Sequence, residues 1–121
     1  MINGFEEQTH DLTEDEMKVI PILVKGFKTL VGKEKAMTAG QIGDQIKEYH
    51  GTTVSGPRLR KMVNYIRINH MVPLLVASSK GYYVSDDQQE MLDYIQSLKD
   101  RAGAIQEVAD SLTKQFKNQY M

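Results

Sequence analysis

The chain has no cysteine, no tryptophan and only three prolines among its 121 residues. Without cysteine it has no disulfide framework, no thiolate zinc site and no cysteine nucleophile, and nothing supports an oxidising compartment. No stretch approaches the roughly 18 apolar residues of a membrane span, and the N-terminus lacks the basic start and apolar run of a secretory signal. We therefore expect a protein of the reducing cytoplasm with no membrane association.

The length and composition predict one folded domain with short extensions. Hydrophobic residues make up 40% of the chain and charged residues 26%, which is ordinary globular usage and is enough for a single core. We expect the core domain at residues 12–85, a long helix at 86–118 and a tail at 119–121. We also expect residues 1–11 to be an N-terminal arm, with a composition that fits either a mobile segment or one packed on a neighbour.

Charge is unevenly distributed along the chain. Residues 1–46 carry five lysines and eight acidic residues, for a net charge of -3. Residues 47–80 carry six basic residues against one glutamate, for +5, and residues 81–121 carry four against seven, for -3. A basic middle between acidic flanks is expected if one surface binds a polyanion, although a solvated face would give the same counts.

Three capping boxes each predict the start of a helix. They pair Thr13 with Glu16, Thr38 with Gln41, and Ser85 with Gln88. The first helix is expected from about Leu12 towards Val31, with a kink or break at Pro21, because proline removes a backbone donor. Ala36 and Met37 predict a very short strand before the second helix, which ends at His50 and Gly51.

A third helix is predicted after a short loop, an arrangement typical of a helix-turn-helix. It begins with Ser55 as its cap and Pro57 in its first turn, and it ends near Asn69. Beyond it, residues 74–77 and 82–84 flank a turn and predict a small β-hairpin. Of the adjacent Tyr82 and Tyr83, one is expected in the core and the other partly exposed, because neighbouring residues of a strand point to opposite faces.

The third helix has an apolar face and a basic, polar face. At 100° per residue, the predicted buried face consists of Leu59, Met62, Val63, Ile66 and His70. The opposite side carries Pro57, Lys61 and Asn64, with Arg60 and Arg67 on one flank and Arg58 and Tyr65 on the other. Since arginine can bind guanine edges, asparagine can bind adenine edges, and lysine can hold phosphates, this outward face suits a groove of duplex DNA.

Three segments together resemble the winged helix-turn-helix domain, across about residues 12–86. They are TAGQIGDQIKEYHG, SGPRLRKMVNYIRINHMVP and the wing LLVASSKGYYVS. More narrowly, the chain is similar to small winged-helix proteins of phages and bacterial mobile elements, in which a long helix follows the domain, here SLKDRAGAIQEVADSL. The resemblance implies an α+β fold of three helices and a hairpin wing.

The resemblance also implies a function, that of a double-stranded DNA-binding regulator of transcription or replication. The third helix would enter the major groove, and Lys80 at the wing tip would reach the adjacent backbone or minor groove. Base contacts would fall to Pro57, Arg58, Lys61 and Asn64, and phosphate contacts to Ser55, Arg60 and Arg67. The alternative is a protein-interaction module that docks on a replication, transcription or virion component, since fold alone does not settle function.

The long final helix carries an unbroken heptad stripe, which implies a partner helix from the same chain or from a second subunit. The stripe reads Met91, Ile95, Leu98, Ala102, Ile105, Ala109, Leu112 and Phe116. We expect a homodimer, with the six residues from Leu98 to Phe116 at its interface. Gly103, inside this helix, marks a hinge or a close contact.

Other kinds of site have little support in the sequence. The three histidines, His10, His50 and His70, have no short ligand spacing, and no glycine-rich phosphate loop or nucleophile arrangement is recognisable. We therefore expect no enzyme activity, no metal, no cofactor and no small-molecule substrate.

Overall fold

The computed structural model describes residues 10–121, and its architecture is α+β. The chain divides into two units, the first ending at Asp86 and the second spanning Asp87–Met121. Its elements in chain order are α1 (Glu14–Phe27), a 3₁₀ turn (Lys33–Lys35), α2 (Ala39–His50), α3 (Gly56–Ile68), β1 (Leu75–Ser78), β2 (Gly81–Val84) and α4 (Gln88–Tyr120). The predicted N-terminal arm lies outside the described residues except for His10 and Asp11.

Two of the three predicted capping boxes are confirmed, at Thr13 and Thr38. The third is wrong. Ser85 is buried and its backbone N–H donates to the carbonyl of Leu74 at 3.0 Å, so the hairpin pairing continues past the end of β2. The cap of α4 is Asp87, whose carboxylate accepts from the backbone N–H of Glu90 at 3.0 Å. Aspartate caps a helix as well as serine does, so the helix begins where the backbone is released from the hairpin.

Helix α1 is shorter than predicted and is not broken by its proline. It runs through Pro21 and ends at Phe27 rather than near Val31. A proline removes one backbone bond, and here its neighbours Ile20 and Leu23 are both buried in the core, which offsets that loss. The chain after α1 turns, so that Val31 and Gly32 run alongside β2.

The core of the first unit lies where α1, α2, α3 and the hairpin meet. Its fully buried members from α3 are the predicted Leu59, Met62, Val63 and Ile66. His70, which was predicted on the same face, is exposed, because α3 ends at Ile68 and His70 adopts a φ of 56° beyond it. The ring of Phe27 lies 5.9 Å from that of Tyr82 and ties α1 to β2.

The hairpin is a two-stranded antiparallel sheet in which Val76 faces Tyr83 and Ala77 faces Tyr82. The predicted strand at Ala36 and Met37 is reduced to a single bridge from Met37 to Tyr82. Tyr83 is only 2% exposed, so the expectation that one tyrosine of the pair would be partly exposed is wrong. Both faces of β2 are therefore buried.

The second unit is the single helix α4, 33 residues long, of which none is buried. Gln89, Gln96 and Gln106 each donate to an aspartate four residues later, and such pairs stabilise a solvated helix. The helix passes through Gly103 without interruption and continues to Tyr120, through most of the predicted tail. Among the helices of residues 10–121, none is both long enough and apolar enough to cross a membrane.

Candidate nucleic-acid interface

Helix α3 is positioned by the turn before it and by its own cap. Helix α2 ends at His50 and is capped by Gly51, whose φ of 69° lies in the left-handed region that does not continue a helix. Four residues later the hydroxyl of Ser55 accepts from the backbone N–H of Arg58 at 3.3 Å, and Pro57 occupies the first turn. The predicted start and end of this helix are confirmed, and Ser55 is exposed at its N-terminus.

The outward face of α3 is polar and basic, as the helical wheel predicts. Arg60 and Asn64 are exposed one turn apart, and Pro57, Lys61 and Arg67 are half-buried beside them. Within residues 10–121, the side chains of Arg60, Lys61 and Asn64 form no hydrogen bond or ion pair, so their donors face solvent. A ligand at this surface would meet two cationic groups and one amide on a rigid helix.

Ile68 also lies on this outward face, although it was not among the residues predicted to contact DNA. It is 74% exposed and stands on the side of α3 opposite the buried residues. An exposed β-branched side chain beside Lys61 and Asn64 offers an apolar contact of the kind that reads a thymine methyl group. The helical wheel of α3 already places Ile68, in the last turn, on the side opposite Leu59.

Arg58 does not join this face. Its guanidinium forms an ion pair with Glu16 of α1, with Nε 2.8 Å from Oε2 and Nη2 2.6 Å from Oε1. Nη1 and Nη2 also donate to the carbonyls of His10 and Asp11, each at 3.0 Å. The structure thus places Arg58 in the packing of α3 against α1, apart from the surface formed by Arg60, Lys61 and Asn64.

The electrostatics of Glu16 follow from this pairing. The hydrogen bonds from Arg58 lower the pKa of Glu16 from 4.5 to about 2, against a raising effect of burial, and the Thr13 N–H donates to the same carboxylate. Glu16 is only 8% exposed. One carboxylate therefore closes the capping box of α1 and pairs with Arg58 of α3.

A shallow groove of about 440 Å³ lies between the start of α2 and the start of α3. Most of the residues that line it are small, namely Ala39, Gly40, Gly43, Thr53 and Gly56. The remaining lining residues are Asp44, Lys47 and Val54. Small side chains leave the backbone accessible, so a bulky ligand can approach the first turns of both helices.

The hairpin tip brings Lys80 close to the 3₁₀ turn. The Ser78 hydroxyl donates to the carbonyl of Gly81 at 3.0 Å and accepts from the backbone N–H of Lys80 at 3.2 Å, which fixes the two-residue turn. Lys80 and Lys33 line one concavity together with Glu34 and Ala36. Lys33 was not predicted from the sequence, because it lies 47 positions from Lys80 and the two segments are brought together by tertiary pairing, through the bridges of Val31 to Val84 and of Met37 to Tyr82.

The six residues predicted for dimerisation share one face of α4, and all are exposed. The exposed fraction is 37% for Leu98, 71% for Ile105, and 57% for both Leu112 and Phe116, while Ala102 and Ala109 lie between them. The rings of Phe116 and Tyr120 are in contact, with centroids 5.1 Å apart. The stripe is therefore a continuous, exposed apolar surface on a helix without buried residues.

Within the part of the chain that the structure describes, no group of three or more histidine or acidic residues is arranged to hold a metal ion. No protein-family model, curated protein or solved structure matches the chain.

Proposed function

We propose that this chain is a double-stranded DNA-binding protein with winged helix-turn-helix architecture. The observation that carries the proposal is the division of α3 into a fully buried apolar face and an outward face bearing Arg60, Lys61 and Asn64, directly after a helix and a five-residue loop, residues 51–55. The hairpin corresponds to the wing. We assign the protein to the cytoplasm, as a transcriptional or replication-associated regulator of a phage or mobile element.

The proposed contacts divide by their chemistry. Pro57, Lys61 and Asn64 lie at the centre of the outward face and would meet base edges in the major groove, with Ile68 at the end of the same face. Ser55, Arg60 and Arg67 lie at the helix start and on one flank, where they would hold phosphates. Arg58 is left out of the proposed interface, since its guanidinium is bound to Glu16.

The wing would contribute through Lys80 together with Lys33. Both lysines border the same concavity, so a phosphate there would be attracted by two ammonium groups and opposed by the carboxylate of Glu34. We further propose that the chain acts as a homodimer through the stripe from Leu98 to Phe116 on α4.

The test is fluorescence anisotropy of a labelled random duplex of about 25 base pairs, titrated with protein at several salt concentrations. The expected result is binding whose log affinity falls linearly with log salt, because phosphate contacts release counterions. The double variant R60A/K61A should lose most of this affinity. The charge-matched control K18A/K25A removes two exposed lysines of α1 and should retain it. Equal affinities for the two double variants would contradict the assignment of this face.

A second candidate function is protein docking, and one groove favours it. A concavity of about 380 Å³ between α1 and α2 is lined largely by apolar side chains, including Ile22 and Tyr49, which are 40% and 71% exposed. A partner protein would fit such a surface better than a nucleic acid would. Absence of any duplex binding at low salt, with α3 intact, would favour this second function over the first.

A further inference from the structure

The apolar stripe of α4 alternates small and large side chains in a regular way. In heptad terms, the a positions from 102 onward are Ala102, Ala109 and Phe116, and the d positions from 98 onward are Leu98, Ile105 and Leu112. Two consecutive a positions are thus alanine, while each neighbouring d position is a large aliphatic residue. All of these side chains are exposed along one continuous helix, so the spaces above the alanines are open to the side chains of an apposed helix.

We propose that α4 pairs with α4 of a second copy in antiparallel orientation, with the two-fold axis at Glu107. The inference rests on the homodimer of the proposed function and specifies its direction and register. In an antiparallel pair, each a residue faces a d residue of the other helix. The resulting core layers, each occurring twice, place Leu98 against Phe116, Ala102 against Leu112, and Ile105 against Ala109 of the second copy.

This arrangement gives even packing, because each alanine meets a large aliphatic side chain. A parallel pair would instead place Ala102 on its own copy and Ala109 on its own copy, between layers of paired leucine or isoleucine. Two layers too small to fill the interhelical space would leave voids, and voids in an apolar interface are destabilising. The alternation of sizes therefore favours the antiparallel pair.

The residues beside the stripe support the same register. Three further large apolar residues of α4 are exposed outside it, namely Leu92, Val108 and Tyr120. With the axis at Glu107, Val108 lies beside its own copy and Leu92 lies beside Tyr120 of the second copy. In a parallel pair Val108 would instead lie beside Thr113, and Tyr120 beside Gln115. Only the antiparallel pair brings these exposed apolar groups together.

Charge does not oppose the proposed register. Lys99 would lie beside Thr113 of the second copy, and Arg101 beside Gln115, so no like charges meet at the flanks. The acidic residues of α4 stand on the outer side, away from the stripe. A register shifted by one heptad would instead place Val108 beside Arg101. It would also require Met91 at the interface between the two copies, although Met91 is already half-buried.

The test uses distances between spin labels in the full chain, which has no native cysteine to interfere. Single cysteines are introduced by the substitutions D93C and E107C, both at exposed positions on the outer side of α4. At 1.5 Å per residue, the proposed register separates the two copies of position 93 by about 42 Å along the helix axis and the two copies of position 107 by about zero. The lateral spacing is common to both positions.

Each outcome decides the inference. A long distance at position 93 with a short one at 107 supports it. Equal short distances at both positions indicate a parallel pair and overturn it, and an axial separation of about 32 Å at position 93 indicates the shifted register and overturns it too. A monomeric mass by light scattering at the labelling concentration overturns this inference and the homodimer with it. The anisotropy titration tests DNA binding by α3 separately, so the failure of one proposal is distinguishable from the failure of the other.

Discussion

Arg58 and Glu16 lie 42 positions apart in sequence and form a two-point ion pair, with contacts of 2.8 and 2.6 Å. The pair joins the first turn of α3 to the first turn of α1. Because Arg58 also holds the carbonyls of His10 and Asp11, the chain entering α1 is fixed against the start of α3. The orientation of the proposed recognition helix thus depends on a contact that is itself apart from the outward face.

Replacing Arg58 by methionine should destabilise the fold by about 3 kcal/mol, because it leaves the nearly buried carboxylate of Glu16 without its cation. Urea unfolding followed by circular dichroism measures the loss. The matched control is R60A, which removes an exposed arginine two positions along the same helix and should change the free energy of unfolding by less than about 0.5 kcal/mol. Similar losses in the two variants would mean that the ion pair contributes little.

The same pair predicts how stability depends on pH. The pKa of Glu16 is lowered from 4.5 to about 2 in the folded chain, so the unfolded state binds the proton first as the pH falls. The contribution is fully present above about pH 5 and is lost between pH 4.5 and 2, and it amounts to about 3 kcal/mol. Unfolding of the wild type and of E16Q from about pH 6 to 2.5 should show their stability difference shrinking in acid. A difference constant with pH would contradict this origin.

The inward role of Arg58 could not be read from the sequence. The helical wheel gives the direction of each side chain but not which residue of another helix lies opposite, and Arg58 stands on a flank between the buried and outward faces. Glu16 was correctly identified as the last member of a capping box, and that local role concealed its second one. Long-range pairs of charges need the tertiary structure to identify them.

The local sequence patterns predicted the structure correctly where tertiary packing did not oppose them. The caps at Thr13, Thr38 and Ser55 and the buried face of α3 follow from patterns within a few residues, and the structure confirms the caps and every predicted member of that face except His70. Ser85 failed as a cap because the hairpin holds its backbone. Of the kink or break predicted at Pro21, the break does not occur, because buried neighbours stabilise α1. Each failure arises where tertiary packing outweighs a local preference.

Two glycines should respond oppositely to replacement by alanine. Gly81 has a φ of 121°, and a Cβ there would overlap the Met37 carbonyl, so G81A should destabilise the fold by about 2 kcal/mol or more. Gly103 has nothing within 4 Å of its Cβ position, so G103A should stabilise α4 by up to about 1 kcal/mol. Urea unfolding tests the first variant, and helicity measured by circular dichroism during heating tests the second. Neutral behaviour of G81A would contradict the close approach of the hairpin to Met37.

The concavity at the hairpin tip predicts a specific change in salt dependence. The double variant K33A/K80A should reduce the slope of log affinity against log salt by about 2, as expected for two lost phosphate contacts. The substitution E34Q removes the opposing carboxylate and should strengthen binding. The α1 variant K18A/K25A should leave the slope unchanged. A slope for K33A/K80A equal to that of the wild type would restrict the interface to α3.

The stripe of α4 predicts how the proposed dimer can be dissociated without unfolding the chain. Leu112 and Phe116 are each 57% exposed, so replacing both by alanine removes no buried contact within the chain and keeps good helix formers in place. In a dimer each substitution removes a large side chain from both copies. Truncating large apolar groups at an interface weakens association steeply, here by at least about 100-fold. Sedimentation or light scattering over a range of concentrations measures the change. The control is K114A, which replaces an exposed lysine on the outer side of the same helix and should leave the dimer intact.

Since the proposed DNA-binding face lies wholly in the first unit, L112A/F116A should still bind duplex DNA, but with lower affinity because the two copies no longer bind together. An unchanged mass for L112A/F116A would place the dimer contact elsewhere on the molecule.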